Sequence, residues 1–210
     1  GQALRAAAAH AIDREAIHQS VFYGLGTISK GFYGPHSPWH MPGVKGGPEY
    51  DPDKTNFLLL QHSAQNTPFL LISRQDYSYM HQAGEIIQAM WAEVGFKVVH
   101  EIHPNRVLRE KYRKGAIQAG EYDADSTASP YSADPDGWFY RSLLSSAPTA
   151  KLRSGYHNKR MDMLIQQARV TRDQKKRLEL YTEVENIINE EVPLIYTHAV
   201  PLLQAGVQNL

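Results

Sequence analysis

Residues 122–139 combine polar side chains, small residues and aromatic rings in an order that suits ligand binding. The segment begins as a predicted strand, continues through a run of small residues and ends in a strong helix start. There, Asp134 is predicted as the N-cap, Pro135 as the first helical residue and Asp136 as a negative charge at the positive end of the helix dipole. Ligands usually bind at loops that leave the carboxyl ends of strands in open α/β sheets. We therefore predict a ligand site on residues 127–135, called the ligand loop below.

The sequence contains no motif for catalysis or for a bound cofactor. It has no cysteine, which excludes disulfides, thiolate catalysis, Fe–S clusters and cysteine zinc sites. The G-x-S-x-G, H-E-x-x-H, phosphate-loop and Rossmann patterns are also absent. Imidazole binds nickel and zinc, but His100 and His103 fall on opposite faces of a predicted strand, and His36 and His40 lie in a Gly/Pro-rich stretch. We predict no enzyme, no cofactor and no metal site.

The composition argues against nucleic-acid and membrane partners. Basic and acidic residues balance at 22 each, so no net charge attracts the chain to a polyanion. No apolar run approaches the ~20 residues of a membrane span. The chain begins with Gly1 rather than Met and carries no signal peptide, so we expect a processed or excised piece. The lack of cysteine fits a compartment where free thiols bring little benefit, such as a bacterial periplasm, but many cytosolic proteins also lack cysteine.

Two helices and a long loop are predicted ahead of the sheet. Residues 2–23 favour a helix with a break near Ile12, because Asp13 can cap a fresh first turn. Residues 24–52 are dense in Gly and Pro but carry four aromatic rings. This combination predicts an ordered loop that wraps the surface, called the wrapping loop below. A helix over residues 52–62 follows it.

Strands and helices alternate from residue 68 onward. The predicted strands are 68–73, 96–102 and 121–126, with helices at 79–94 and 105–114 between them. Short connections between such elements imply right-handed parallel crossovers. The predicted fold class is α/β, with a mixed, mainly parallel sheet flanked by helices.

The last third of the chain is predicted to be mostly helical. The predicted elements are helices at 135–144, 158–170 and 173–190 and a strand at 194–197, with a small polar connection at 145–154. Asn158 is the predicted cap of the second helix, and Thr171 or Asp173 that of the third. No repeat or internal linker interrupts the chain, so residues 1–210 are predicted to form a single domain.

A series of stretches, in order along nearly the whole chain, resembles the bacterial family 5 extracellular solute-binding proteins. These are the peptide- and nickel-type binding proteins of ABC importers. The matching stretches are 4–17, similar to R-x-A-x-x-x-A-I-D-R-x-x-I; 23–27, a glycine turn; 50–54, similar to Y-D-P-x-K; 86–98, similar to L-x-x-x-G-I-x-V; 122–136, similar to Y-D-x…D-P-D; and 162–194, which ends in D-x-P-x-I.

The resemblance implies the location and the partners of the protein. Family members have two lobes that enclose a ligand, and this chain resembles the second, C-terminal lobe alone, a type II periplasmic-binding-protein-like lobe whose tail, 198–210, crosses back. The implied protein is periplasmic or lipid-anchored and delivers a peptide-like or other small solute to an ABC importer by hinge closure. Its partners would be the ligand, the missing N-terminal lobe and the permease subunits. An alternative is a free-standing interaction or regulatory module that keeps the lobe fold without transport.

The resemblance also bears on the ligand. In peptide-binding members the ligand loop carries a Trp and an Asp that meets the amino terminus of the ligand, and here Ala128 and Tyr131 stand at those positions. Asn105 stands where many members have a Trp in the cleft. The ligand therefore stays open among peptide, glutathione-like peptide, opine, sugar oligomer and metal chelate.

The candidate residues follow from these positions. Ligand-binding candidates are Tyr131, Ser132, Ser129, Asn105, Tyr79 and Tyr196, with His198 as a weaker candidate. We assign Asp134 and Asp136 to helix capping at the ligand loop. Phe32, Tyr33 and Trp39 are assigned to packing of the wrapping loop.

Overall fold

Short strands and helices of very different lengths follow one another along the chain. The computed structural model describes residues 1–112, 122–129, 132–153 and 155–200. In chain order the elements are α1 (Gln2–His10), α2 (Arg14–Phe22), β1 (Thr27–Ile28), α3 (Pro52–Gln61), β2 (Pro68–Arg74), α4 (Ser78–Glu93), β3 (Lys97–His103), α5 (Asn105–Tyr112), β4 (Ala124–Ser126), α6 (Asp136–Leu143), α7 (Pro148–Arg153), α8 (Lys159–Val170), α9 (Gln174–Glu191) and β5 (His198–Ala199). Within these described ranges, no helix is both long enough and apolar enough to cross a bilayer.

The three strands β2, β3 and β4 form a parallel sheet in the order β3-β2-β4. Leu71 at the centre of the sheet is paired with His100 on one side and with Ala124 on the other. The helices α4 and α5 make the two crossovers, as the alternation of elements predicts. Because β2 has a neighbour on each side, its last four residues are buried.

The helices α1 and α2 confirm the predicted break in the N-terminal helix. Asp13 caps α2 by accepting a hydrogen bond from the N–H of Ala16 at 3.0 Å. The buried face of α1 packs on α3 and α4. The indole N–H of Trp91 donates to the carbonyl of Ala8 at 2.8 Å, and the hydroxyl of Thr55 donates to the carbonyl of Ala7 at 3.0 Å. These contacts fix the N-terminal helices beside the sheet.

The wrapping loop contains one two-residue strand, β1, and no helix before α3. Tyr33 and Met41 are buried in the core that α6, α8 and α9 build. Phe32 stacks on Trp138 with their ring centroids 4.2 Å apart. The loop is thus attached to the C-terminal helices by its apolar side chains.

The helices α6 to α9 form a second core. Phe139 and Tyr181 stack at its centre with ring centroids 4.9 Å apart, and neither is exposed. Two predicted caps are confirmed: Asn158 accepts a hydrogen bond from the first turn of α8, and Asp173 does the same for α9. Local cap signals were sufficient to place both helix starts.

The helix α7 corrects the prediction of a polar connection over residues 145–154. Its six residues offer no apolar period from which a helix could be predicted. Ala147 and Ala150 are nevertheless buried against the second core. Packing on neighbouring helices, rather than local propensity, stabilises so short a helix.

The prediction of a strand at 194–197 is wrong, because the last strand in the described part of the chain is β5, at His198–Ala199. This strand pairs antiparallel with β1 in a separate two-stranded sheet. The backbone just before it finds other partners: Arg14 Nε donates to the carbonyl of Tyr196 at 2.8 Å, and the N–H of Ser29 donates to the carbonyl of Thr197 at 3.2 Å. Of the predicted tail, residues 201–210 lie outside the described residues.

Gly84 allows α4 to approach β3, and this contact gives a first prediction. A Cβ atom at Gly84 would lie 2.7 Å from Cε1 and 2.8 Å from Nε2 of His100. That imidazole is held by the buried Ser73, whose Oγ lies 2.7 Å from His100 Nε2. We expect Gly84→Ala to destabilise the fold by about 1–3 kcal/mol in urea unfolding, although alanine is the better helix former.

The control for Gly84→Ala is the same substitution combined with His100→Ala, which removes the clashing ring. The second substitution should recover part of the lost stability, because the two effects are coupled through one contact. A stabilised Gly84→Ala variant would contradict the close approach of α4 to β3.

Candidate functional site

An open recess lies at the carboxyl ends of the parallel strands. β2 ends at Arg74, and β4 ends at Ser126, where the ligand loop begins. The recess has a volume of about 310 Å³, including the solvent at its mouth. Its lining residues are Phe22, Tyr79, Met80, Ala83, Ser126, Thr127, Ala128, Thr197, His198 and Val200. This is the position at which open α/β sheets bind ligands.

One wall of the recess is built by segments far apart in the sequence. Phe22 ends α2 and His198 begins β5, and their rings stack with centroids 3.8 Å apart. His198 Nε2 donates to the carbonyl of Leu25 at 2.8 Å, since a carbonyl can only accept. Burial lowers the pKa of His198, so the imidazole is neutral at pH 7. The His18 ring lies 4.9 Å from it, but within the described ranges no three His, Cys, Asp or Glu side chains converge to hold a metal ion.

Tyr79, Ser126 and Thr127 add hydroxyl groups to the lining of the recess. Tyr79 lies in the first turn of α4, and burial raises the pKa of its hydroxyl, which is therefore protonated at neutral pH. The Ser126 hydroxyl donates to the carbonyl of Met80 at 2.9 Å. Among the described residues that line the recess, none is Asp or Glu. The lining therefore suits neutral or anionic polar groups together with apolar surface.

Arg74 joins the elements that meet at this edge of the sheet. Its side chain is only 9% exposed, and its Nη2 lies 3.8 Å from the carboxylate of Asp125 in β4. Its Nε donates to Oδ1 of Asn105 at 3.3 Å, and its guanidinium contacts the hydroxyl of Thr127. One buried cation thus connects α5, β4 and the start of the ligand loop. Arg74 is not among the residues predicted from the sequence, although a charged residue at the end of an apolar strand was a usable signal.

The other predicted ligand residues are distributed as follows. Tyr79 lines the recess, Ser129 follows the lining residue Ala128, and Asn105 binds Arg74. Ser132 lies in the ligand loop, where its carbonyl accepts a hydrogen bond from the hydroxyl of Tyr33 at 3.1 Å. Tyr131 lies outside the described residues. Ligand contact by Tyr79, Ser129, Asn105 and Ser132 stays a prediction.

The structure places the ring of Tyr196 against the second core rather than in the recess. Its neighbours Thr197 and His198 line the recess instead. Ligand contact by Tyr196 stays a prediction, and the structure shows its ring packed on the second core. The chain turns after Tyr196 because β5 pairs with β1, and this pairing directs the next residues to the recess.

Asp134 and Asp136 play a different role from simple capping. Helix α6 begins at Asp136, one residue later than predicted, and Pro135 occupies the N-cap position without a capping hydrogen bond. Asp134 Oδ1 accepts a hydrogen bond from the N–H of Asp136 at 2.9 Å. The stronger partner of Asp134 is Arg177, which holds the pKa of this carboxyl below its usual range. Asp136 pairs with Arg169 at 3.0 Å.

Glu185 is a buried acid that joins α9 to the wrapping loop. Glu185 is only 1% exposed, and its Oε1 accepts a hydrogen bond from the N–H of Phe32 at 2.7 Å. Burial raises the pKa of Glu185 to about 7, against the smaller opposing effects of the Phe32 N–H and the Tyr196 hydroxyl. A carboxyl with this pKa is partly protonated at neutral pH.

The raised pKa of Glu185 predicts a pH-dependent stability. Between about pH 4.5 and 7 the folded protein keeps a proton that the unfolded chain has released, so stability falls as the pH rises through this window. Glu185→Gln should therefore stabilise the protein by about 1–3 kcal/mol at pH 8 and change little at pH 4. Urea unfolding at the two pH values measures the difference.

Glu183→Gln is the matched control, because Glu183 lies on the same helix and forms an exposed pair with Arg160. It should change stability by less than about 0.5 kcal/mol at either pH. A Glu185→Gln variant that is less stable at pH 8 than at pH 4, relative to the parent chain, would contradict the raised pKa.

The chain matches a known protein family. The family described as "Bacterial extracellular solute-binding proteins, family 5 Middle" matches residues 2–151 of this sequence. The chain is 25% identical over 197 residues to heme-binding protein A of Haemophilus influenzae, covering 91% of this chain and 35% of that protein. It is 29% identical over 200 residues to di/tripeptide-binding protein 1 of Pseudomonas aeruginosa, covering 91% and 36%. The chain thus spans about a third of the length of these curated relatives.

A solved structure confirms the fold class. The oligopeptide-binding protein AppA of Bacillus subtilis, determined with a nonapeptide, superposes with a TM-score of 0.82 at 21% identity. The match covers 95% of this chain and 42% of AppA. The α/β lobe of a type II periplasmic binding protein is therefore the fold of this chain.

Proposed function

The chain belongs to family 5 of the bacterial extracellular solute-binding proteins, and from this premise we propose that it is the C-terminal ligand-binding lobe of a two-lobe protein. The whole protein would deliver a peptide-like or other small solute to an ABC importer from the periplasm or from a lipid anchor. The observation that carries the proposal is the open recess at the carboxyl ends of the parallel strands. The recess brings residues 126–128 together with Thr197, His198 and Val200.

The openness of the recess supports a half-site. Binding sites for small molecules usually bury 70–90% of their ligand. A recess with a solvent-filled mouth cannot do this alone, and the chain spans 35% and 36% of the two relatives named above. A second lobe that closes over the mouth would supply the remaining surface. We assign the missing contacts to the N-terminal lobe.

The strand pair β1 and β5 supports closure about a hinge. β5 lies near the end of the described chain and pairs with β1, which follows the N-terminal helices. Thr197 and His198 line the recess from this segment. We place the proposed hinge at this segment, so a ligand in the recess would contact it and its binding energy would favour the closed state over the open one.

The side chains that line the recess limit the chemical classes of ligand that it could bind. Hydroxyls of Tyr79, Ser126 and Thr127 can hydrogen-bond to polar groups, and the neutral His198 stacked on Phe22 gives an apolar wall. Arg74 adds positive charge at the same edge of the sheet, next to Thr127. We infer a small solute with carboxylate or carbonyl groups facing this lobe. Residues of the other lobe would bind any ammonium group of that solute.

Hydrogen exchange of the two-lobe parent protein tests the proposal. The probes are the dipeptide Met-Leu, glutathione and haem, screened first by thermal shift. The probe that binds should slow exchange at residues 126–129 and 197–200 by about fivefold or more. The separate groove lined by Asn56 and Met90 serves as the internal control and should not change. Protection of that groove with none at the recess would contradict the proposal.

A further inference from the structure

Three consecutive residues of the ligand loop are each held by a different side chain. The Tyr33 hydroxyl donates to the carbonyl of Ser132 at 3.1 Å. The Trp39 indole N–H donates to the carbonyl of Ala133 at 2.9 Å. Arg177 donates two hydrogen bonds to the carboxylate of Asp134, at 2.9 and 2.7 Å. We call Tyr33, Trp39 and Arg177 the loop clamp.

The members of the loop clamp are also joined to the rest of the fold. The guanidinium of Arg177 lies 5.0 Å from the ring centre of Trp39 and 5.7 Å from that of Tyr181. Its Nε donates to the carbonyl of Ala168 at the end of α8, at 3.1 Å. The Arg177 side chain is 14% exposed. Contacts with α8 and α9 thus hold Arg177 independently of its bond to the ligand loop.

The Asp134 carboxylate transmits this position to the loop. While Arg177 binds both of its oxygens, Oδ1 also accepts the N–H of Asp136, the first residue of α6. The guanidinium matches a carboxylate with two parallel hydrogen bonds, which the single ammonium of lysine cannot do. The orientation of the loop backbone at residues 132–134 thus depends on a planar, two-point contact.

We propose that Arg177 is a positioning residue of the ligand site, which holds residues 132–134 of the ligand loop in their binding geometry through Asp134 and Trp39. This inference rests on the proposed function, because it takes the ligand loop as part of the site. Arg177 does not line the recess, so its effect on affinity would pass through the loop. A contact that served only the fold would change stability and leave the affinity of the folded protein unchanged.

The experiment uses the two-lobe parent protein with Arg177→Lys, Arg177→Met, Asp134→Asn and the Asp134→Asn/Arg177→Met pair. Affinity for whichever of Met-Leu, glutathione or haem binds is measured well below each melting temperature. Arg177→Met should weaken binding by about tenfold. Arg177→Lys should recover only part of this loss, because it keeps the charge but not the two-point contact. The double variant should bind no more weakly than the weaker single variant, since both remove the same link.

Arg160→Met is the matched control. Arg160 pairs with Glu183 on the surface of α8 and α9, with 70% and 50% of the two side chains exposed. The Arg160→Met variant should bind the probe with the same affinity as the parent protein. Variants at Arg177 that melt earlier but bind within twofold of the parent protein would overturn the proposal, because Arg177 would then be a contact of the fold alone.

A parent protein that binds none of the three probes would count against the proposed function, and the clamp would then be judged by hydrogen exchange. The N–H of Asp136 donates to Asp134 Oδ1, which Arg177 holds in place. Its exchange should be about tenfold faster in Arg177→Met than in Arg160→Met. Equal rates in these two variants would overturn the positioning role.

Discussion

Phe139→Ala is expected to destabilise the protein by about 3–5 kcal/mol. The Phe139 ring is fully buried and stacks on Tyr181, so its removal leaves a cavity that the surrounding helices fill only in part. Phe139 also lies on α6 directly after the ligand loop, so the loss should loosen the loop as well as the core. Urea unfolding followed by far-UV circular dichroism measures the change.

Phe57→Ala is the control for this prediction. It makes the same chemical change at a side chain of α3 that is 62% exposed, and it should cost less than about 1 kcal/mol. Similar effects for the two substitutions would show that Phe139 does not occupy the centre of the second core.

Arg74→Met should have the second-largest effect, a destabilisation of about 2–4 kcal/mol. The substitution keeps most of the apolar stem but removes the cation from neighbours that include Asp125, Asn105 and Thr127. Asp125 is itself only 14% exposed, so it would lose a positive charge in a poorly hydrated place. The affinity of the two-lobe protein for its ligand should fall together with its stability, because Thr127 lines the recess.

The comparison for Arg74 is Arg106→Met. Arg106 pairs with Glu110 across one turn of α5, and its side chain is 84% exposed. Such surface pairs contribute about 0–1 kcal/mol, so this variant should unfold almost like the parent chain. Arg74→Met unfolding at the same urea concentration as Arg106→Met would contradict the connecting role of Arg74.

Local signals allowed much of the fold to be predicted from the sequence. Asp13, Asn158 and Asp173 each cap a helix where a polar residue precedes an apolar period, because capping depends on neighbours three residues away. The first crossover, from β2 through α4 to β3, was also predictable from local signals. These are the apolar run of β2 and the turn at Gly95, where φ is +99°. Helix α7 could not be predicted, since only contacts with distant helices stabilise it.

The part of the site that follows directly after strands was predictable from the sequence. Tyr79 and the ligand loop follow strands, and the position of a loop after a strand can be inferred from element order. Phe22 lines the recess because α2 packs beside the sheet, and its stacking partner His198 is 176 positions further along the chain. No spacing rule connects two such residues. The role of Arg177 at Asp134 was hidden in the same way, although two carboxylates close together at Asp134 and Asp136 were a signal that cations pair with them.

Isothermal titration of the two-lobe parent protein and of residues 1–210 alone tests the central claim, that this chain carries half of a ligand site. Met-Leu, glutathione and haem are the probes. The parent protein should bind at least one of them with micromolar or tighter affinity. Residues 1–210 alone should bind the same probe about 100-fold more weakly or not at all, because an open recess would bury only part of the probe. Equal affinity for the isolated chain and the parent protein would contradict the half-site.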